Sequence, residues 1–176
     1  MASQSDIRSA VVAGQFYPSS ISGLQATLSS FLCDAGDSEQ RKRLRALIVP
    51  HAGYTYSGST AGKAYGMVGS DSGIQRVVIL APSHRTSLRG VSVGDYGVFA
   101  TPLGTVSVDV GACHRLEEAS SLVTVRRDAH TSEHALEVQL PFVQAVLPDA
   151  TLVPVVCGQL GLEQVREVAA VLAEDL

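Results

Sequence analysis

The stretch Gln75-Arg-Val-Val-Ile-Leu-Ala81-Pro82-Ser83-His84 decides the reading of the fold. Its β-branched run is short and almost uniformly apolar, which predicts a strand buried on both faces rather than an amphipathic helix. Pro82 helps to end it, because proline cannot donate to a sheet ladder. A matching stretch lies upstream, where Leu44 to Val49 predict a second buried strand that runs into Pro50 and His51. Working outward, apolar periodicity alternates between the two kinds of element. Leu24, Leu28, Phe31 and Leu32 form a helical stripe, and Ser57 to Met67 read as another helix. A Gly, Ser and Thr-containing loop follows His84 through about Asp95, and Val98 to Val108 then resemble a hairpin turning at Thr101-Pro-Leu-Gly104. Further helices are predicted over Val110 to Ala119, Glu133 to Leu147 and Leu160 to Leu176, with strands over Ser121 to Val125 and Ala150 to Val156. This alternation predicts a layered α/β fold with a mostly parallel central sheet flanked by helices.

Composition narrows the function classes. The chain has 176 residues, enough for one domain over 1–176, and is 45% hydrophobic but only 17% charged. Disorder, collagen and coiled coil are excluded. With 13 basic against 17 acidic side chains the net charge is −4, which gives no electrostatic reason to bind nucleic acid or an anionic membrane. The cluster Arg41-Lys42-Arg43 with Arg45 reads as a solvated face. Apolar runs such as Val77 to Ala81 fall far short of the ~20 residues a membrane-spanning helix needs. The opening Met-Ala-Ser-Gln-Ser-Asp lacks the layout of a secretory signal. Cys33, Cys113 and Cys157 form no CxxC and are odd in number, so each reads as a small buried hydrophobe in a reducing, cytoplasmic setting. Leu162, Val165, Ala169, Leu172 and Leu176 make an apolar stripe that runs uncapped to the last residue, as expected of a chain lacking its C-terminal portion.

The chemistry-bearing residues cluster at strand ends. His51 and His84 each follow a buried strand directly, and ligands of α/β sheets sit beyond the carboxyl ends of strands. Two imidazoles in one crevice are half of a metal site, and imidazole suits zinc, copper, iron or nickel. The alternative is a pair of polar loop histidines without a ligand. His130-x-x-Glu133-His134 matches the inverted zinc-protease signature, which needs both histidines on one helix face. Thr131 or Ser132 reads instead as an N-cap, leaving His130 outside the helix, with Pro141 kinking or restarting it. That leaves His134 and Glu137, three apart on one helix face, as acid/base or ligand-orienting groups. Gly58, Gly62 and Gly66 recur every four residues and predict close packing of a helix on the sheet. Tyr54 and Tyr56, on the loop after His51, are candidates to line a substrate or peptide pocket, ordinary packing being the alternative.

Three strings taken together resemble the Memo family, whose bacterial and archaeal members are called AmmeMemoRadiSam system protein B. They are His51-Ala-Gly-Tyr-Thr-Tyr-Ser-Gly58, Ala81-Pro-Ser-His84 and Glu133-His134-Ala-Leu-Glu137-Val-Gln-Leu-Pro141-Phe142. Ala10-Val-Val-Ala-Gly14-Gln-Phe-Tyr17-Pro18 and Val153-Pro-Val-Val156 fit as well, so the resemblance covers nearly the whole chain. Memo proteins are similar in fold to class III extradiol dioxygenases, non-haem iron enzymes that open catechol rings. The resemblance implies that His51 and His84 are two of the family's metal ligands. It implies a divalent transition metal, iron or copper foremost and zinc as the alternative. It also implies further site residues, a Cys and a His, in a C-terminal half beyond this chain, and Cys157 does not occupy the matching position. Two imidazoles leave a divalent ion short of ligands, so a partner chain or homo-oligomer is the expected source of the rest. Two function classes follow: redox or dioxygenase-like chemistry on a small molecule, or a non-enzymatic module that binds a peptide or protein.

Overall fold

The computed structural model describes residues 6–32, 44–68 and 72–175. Cys33, Arg41, Lys42, Arg43, Leu176 and the first five residues lie outside them. The chain folds as a mixed α/β structure with two sheets. The larger has four strands, β2 (Arg76–Pro82), β3 (Val91–Val93), β6 (Val123–Val125) and β7 (Thr151–Cys157), in the order β2-β7-β3-β6. The smaller has β1 (Ile7–Arg8), β4 (Val98–Thr101) and β5 (Gly104–Ser107) in the order β1-β4-β5.

The larger sheet is mostly parallel in its pairings, two parallel and one antiparallel. β2 pairs with β7 in parallel along its whole length, from Arg76 opposite Thr151 to Pro82 opposite Cys157. β3 then runs antiparallel to β7 and parallel to β6. β7 is the centre of the core, with Leu152, Val153, Val155 and Val156 fully buried, which is why its sequence is an unbroken apolar run. The hairpin β4–β5 turns where predicted, and Gly104 carries the positive φ (121°) that its tight connection requires.

Seven helices complete the described fold: α1 (Ile21–Phe31), α2 (Tyr54–Tyr65), α3 (Val110–Ala119), α4 (Arg127–Thr131), α5 (His134–Glu137), α6 (Leu140–Val146) and α7 (Leu162–Asp175). Caps set their starts: Ser20 accepts from Gly23 N–H at α1, and Asp109 accepts from Ala112 N–H at α3. Pro141 sits in the first turn of α6, so the single helix expected over Glu133 to Leu147 is two short ones that break before the proline.

Three further expectations are corrected. Leu44 to Val49 form no strand, because the segment finds no ladder partner among the described residues, and Ile48 is fully exposed. It lies instead along an apolar groove of about 630 Å³ beside the open edge of β2, with Leu47, Val49, His51 and Ile79 among the lining residues. Gly58 and Gly62 admit a helix, not the sheet: a Cβ at Gly62 would stand 2.7 Å from the carbonyl oxygen of Phe31 in α1. Finally, α7 turns Val168 inward and leaves Leu162 and Val165 exposed, so its buried face is offset from the expected stripe. Cys113 is buried and Cys157 half-buried, and burial pushes the Cys113 thiol up to about 12.

Candidate metal centre

His84 stands just past the end of β2, which stops at Pro82. The expectation of a strand buried on both faces is corrected, because β2 is the edge strand and leaves Val78 and Leu80 exposed while Ile79 and Ala81 are buried. His51 stands on the segment before α2, held from behind by a hydrogen bond from Gln139 Nε2 to Pro50 O at 3.1 Å. His134 opens α5, with Phe16 packed on its ring at 4.8 Å between centroids. The three imidazoles meet. Ring centroids are 5.3 Å apart for His51 and His84, 4.6 Å for His84 and His134, and 6.1 Å for His51 and His134. The sequence pair His51 and His84 is thus brought together, and His134 joins it.

Beneath the cluster lies Glu133, which is buried. Its Oε2 accepts the His84 backbone N–H at 2.7 Å, and its Oε1 accepts from Ala135 N–H at 2.9 Å. The same Oε1 lies 3.0 Å from His84 Nδ1 and 3.3 Å from His134 Nδ1. Burial alone would raise this carboxyl, but the bonds from Ala135 and His84 outweigh it and hold Glu133 below the usual carboxylate range. Burial depresses the His134 imidazole, and the neighbouring His84, His51 and Arg85 act in the same direction against Glu133. Among the described residues, one group has metal-ligand spacing: His84, Glu133 and His134 offer ligand atoms that all lie within 4.8 Å of one another.

Glu137 and the two tyrosines lie apart from the imidazoles. Glu137 is fully buried and ion-paired with buried Arg8. It also accepts from the N–H groups of Val11 and Val12 and from the Tyr17 hydroxyl at 2.7 Å. The four-residue length of α5 sends His134 to the cluster and Glu137 to this N-terminal network, so their three-residue spacing does not give them a common pocket. Tyr54 is buried, donates its hydroxyl to Val138 O at 2.9 Å and packs on Phe142, whereas Tyr56 is exposed. His130 lies in α4, buried, with its Nε2 3.2 Å from Ser92 O. That position separates it from His134 and explains why the protease-like signature has no counterpart here.

Sequence reading passed over Glu133, Arg8 and Phe16 as site-forming residues. Glu133 was visible as an acid at a helix start, but it is itself the N-cap of α5, and nothing local signals that its second partner comes from residue 84.

Comparison with known proteins agrees with the motifs. The family described as Memo-like protein matches over residues 8–176. A MEMO1 family protein of Pyrococcus furiosus is 38% identical over 156 residues, covering 86% of this chain and 53% of its own length. One from Thermococcus onnurineus is 32% identical, covering 96% of this chain and 59% of that protein. The protein memo-1 homolog of Caenorhabditis elegans is 39% identical over 155 residues, 87% of this chain and 43% of its own length. The chain therefore spans about half the length of the curated relatives it matches. A match across almost the whole sequence, together with relatives above 30% identity, shows that this chain belongs to the Memo family.

Proposed function

We propose that this chain binds one divalent transition metal, iron or copper, through His51, His84 and His134. The observation that carries the reading is the convergence of three imidazoles from three separate segments, with centroid separations of 4.6–6.1 Å, above one buried carboxylate. The chemistry of the donor set fits such an ion, with His84 and His134 already at ligand spacing together with Glu133 and His51 bordering them at 5.3 and 6.1 Å between ring centroids. Three neutral nitrogens match the three protein ligands of catalytic centres that keep an open position, and imidazole suits copper and iron. His134 Nδ1 is buried without a well-formed hydrogen bond among the described residues, so the ring is committed to the cluster rather than to solvent.

When bound, the ion supplies Lewis acidity and redox capacity of the kind dioxygenase-like chemistry uses. The protein's own part is preorganisation. Glu133 holds His84, Phe16 backs His134, and the Gln139 bond to Pro50 O fixes the approach of His51. Arg85, exposed beside His84, adds positive charge near His134. The reading extends to a layout like that of class III extradiol dioxygenases, supported by a site at the carboxyl end of β2.

Elemental analysis of the protein as purified tests this. The expected result is about one iron or copper per chain, lost in His51→Ala, His84→Ala and His134→Ala. A folded wild type that takes up neither metal when both are supplied would overturn the proposal. A second reading, peptide binding without catalysis, is favoured by the groove that runs from His51 along the open edge of β2, a geometry suited to strand addition. His51→Ala separates the two, since it removes the metal and leaves peptide capture intact only if the groove works alone.

A further inference from the structure

We infer that the segment 44–49 is a docking strand coupled to the metal: when His51 moves onto the ion, the segment adds to the open edge of β2 as a further, parallel strand of the larger sheet and closes the apolar groove. This rests on the metal reading of the cluster. Chain order sets the direction of pairing. The segment 44–49, α2 and β2 follow one another as strand, helix and strand do in a crossover unit, whose two strands lie parallel in one sheet. The segment has the side-chain pattern for that part, since Leu47 and Val49 pack on the core and Ile48 between them is fully exposed. β2 is the terminal strand of its sheet, so one edge along its seven residues has no partner among the described residues. All of residues 44–49 and all of β2 line the groove of about 630 Å³.

One end of the segment is already anchored. Gln139 Nε2 donates to Pro50 O at 3.1 Å, and the His51 ring lies 5.3 Å from that of His84, just past the end of β2. The two stretches therefore converge at their carboxyl ends. His51 is nonetheless outside the set already at ligand spacing, which is His84, Glu133 and His134. To bind the same ion it must be drawn toward the end of β2, and the residues before it follow, so the ladder closes from this end. Leu80 and Ile48, both exposed, border the groove, and filling it takes apolar surface out of water. Against this stand the backbone entropy of ordering the segment and the lower stability of parallel pairing. The balance leaves residues 44–49 unpaired in this structure. An ion that His51 reaches better in the docked form shifts that balance, and docking strengthens ion binding by the same factor.

Hydrogen exchange of individual backbone amides, read by nuclear magnetic resonance on the nitrogen-15-labelled chain with and without zinc as a diamagnetic probe, tests this, with zinc uptake measured in parallel. The β2 amides that face away from β7, and alternate amides of residues 44–49, are expected to exchange freely without zinc and to slow by roughly tenfold or more with it. Ladder donors alternate along a strand, so one of Ala46→Pro and Leu47→Pro removes a bond to β2. Neither position lies in a helix or strand, so neither proline breaks an existing element. One of the two variants is expected to take up zinc and to lose the protection. Uptake without protection, protection already complete in the metal-free protein, or protection retained in both proline variants would each overturn the docking and leave the metal reading standing. Protection that grows with protein concentration would overturn it in favour of a second copy of the chain on this edge. Absence of zinc uptake would overturn the metal reading and the coupled docking with it.

Discussion

Arg8 and Glu137 meet where neither has water to fall back on, so each is stable only through the other. Besides its ion pair, Arg8 donates to the carbonyls of Ser9, His130 and Glu133, and Glu137 accepts from two backbone N–H groups and Tyr17. Removing one member of a buried pair strands the other charge, a loss of about 3–5 kcal/mol, whereas replacing both with apolar groups is often nearly neutral. Glu137→Ala is therefore expected to lower unfolding free energy by about that amount in urea titrations. Arg8→Met combined with Glu137→Leu should recover much of it. If the single variant is as stable as the wild type, the network is not what holds the N-terminal segment to α5.

At the scale of elements, the contact of α2 with α1 is set by glycine. Alanine at Gly62 would gain ~1 kcal/mol of helix propensity, but its Cβ would press on the Phe31 backbone, whose carbonyl carbon lies 2.8 Å from the ideal Cβ position. Backbone cannot swing aside, and overpacking costs about 1–3 kcal/mol. The net expectation for Gly62→Ala is a lower Tm by a few degrees, measurable by differential scanning calorimetry. Helices and long strands such as α1, α3, β2 and β7 were legible because their periodicity or apolar runs are strong. β1 and β3, with two and three residues, were not, since only pairing makes them strands: Arg8 opposite Phe99, and Val93 opposite Val155. Leu44 to Val49 show the converse, a sequence apolar enough for a strand whose backbone lies unpaired beside β2. Of the site, His51 and His84 were legible from their places after apolar runs. The joining of His134 to them and the hold of Glu133 on His84 arise from segments that meet only in the folded chain.

For the molecule as a whole, acid is the expected weak point. His130 is buried against Ser92 and Phe99, and burial lowers its pKa from 6.5 to about 4; the bond to Ser92 opposes this and nearby Arg8 reinforces it. In the unfolded chain the ring takes up a proton near 6.5, so between there and about 4 the unfolded state binds more protons. Stability is then complete above about 6.5 and falls as pH drops toward 4, by on the order of 3 kcal/mol. Denaturation midpoints across that range should decline, and His130→Gln should flatten the decline; an equally steep profile in the variant would assign it to other groups.

The pairing of Arg8 with Glu137 also sets a timetable for biosynthesis. The two residues are 129 positions apart, and at roughly 5–20 residues per second the guanidinium waits on the order of ten seconds for its counter-ion to be made. Through that interval the N-terminal strand has no closed network to join. The turn that carries Glu133 and His134 is equally unclamped until Arg8 can reach the Glu133 carbonyl, so the three-histidine cluster closes only after that distant segment has been made.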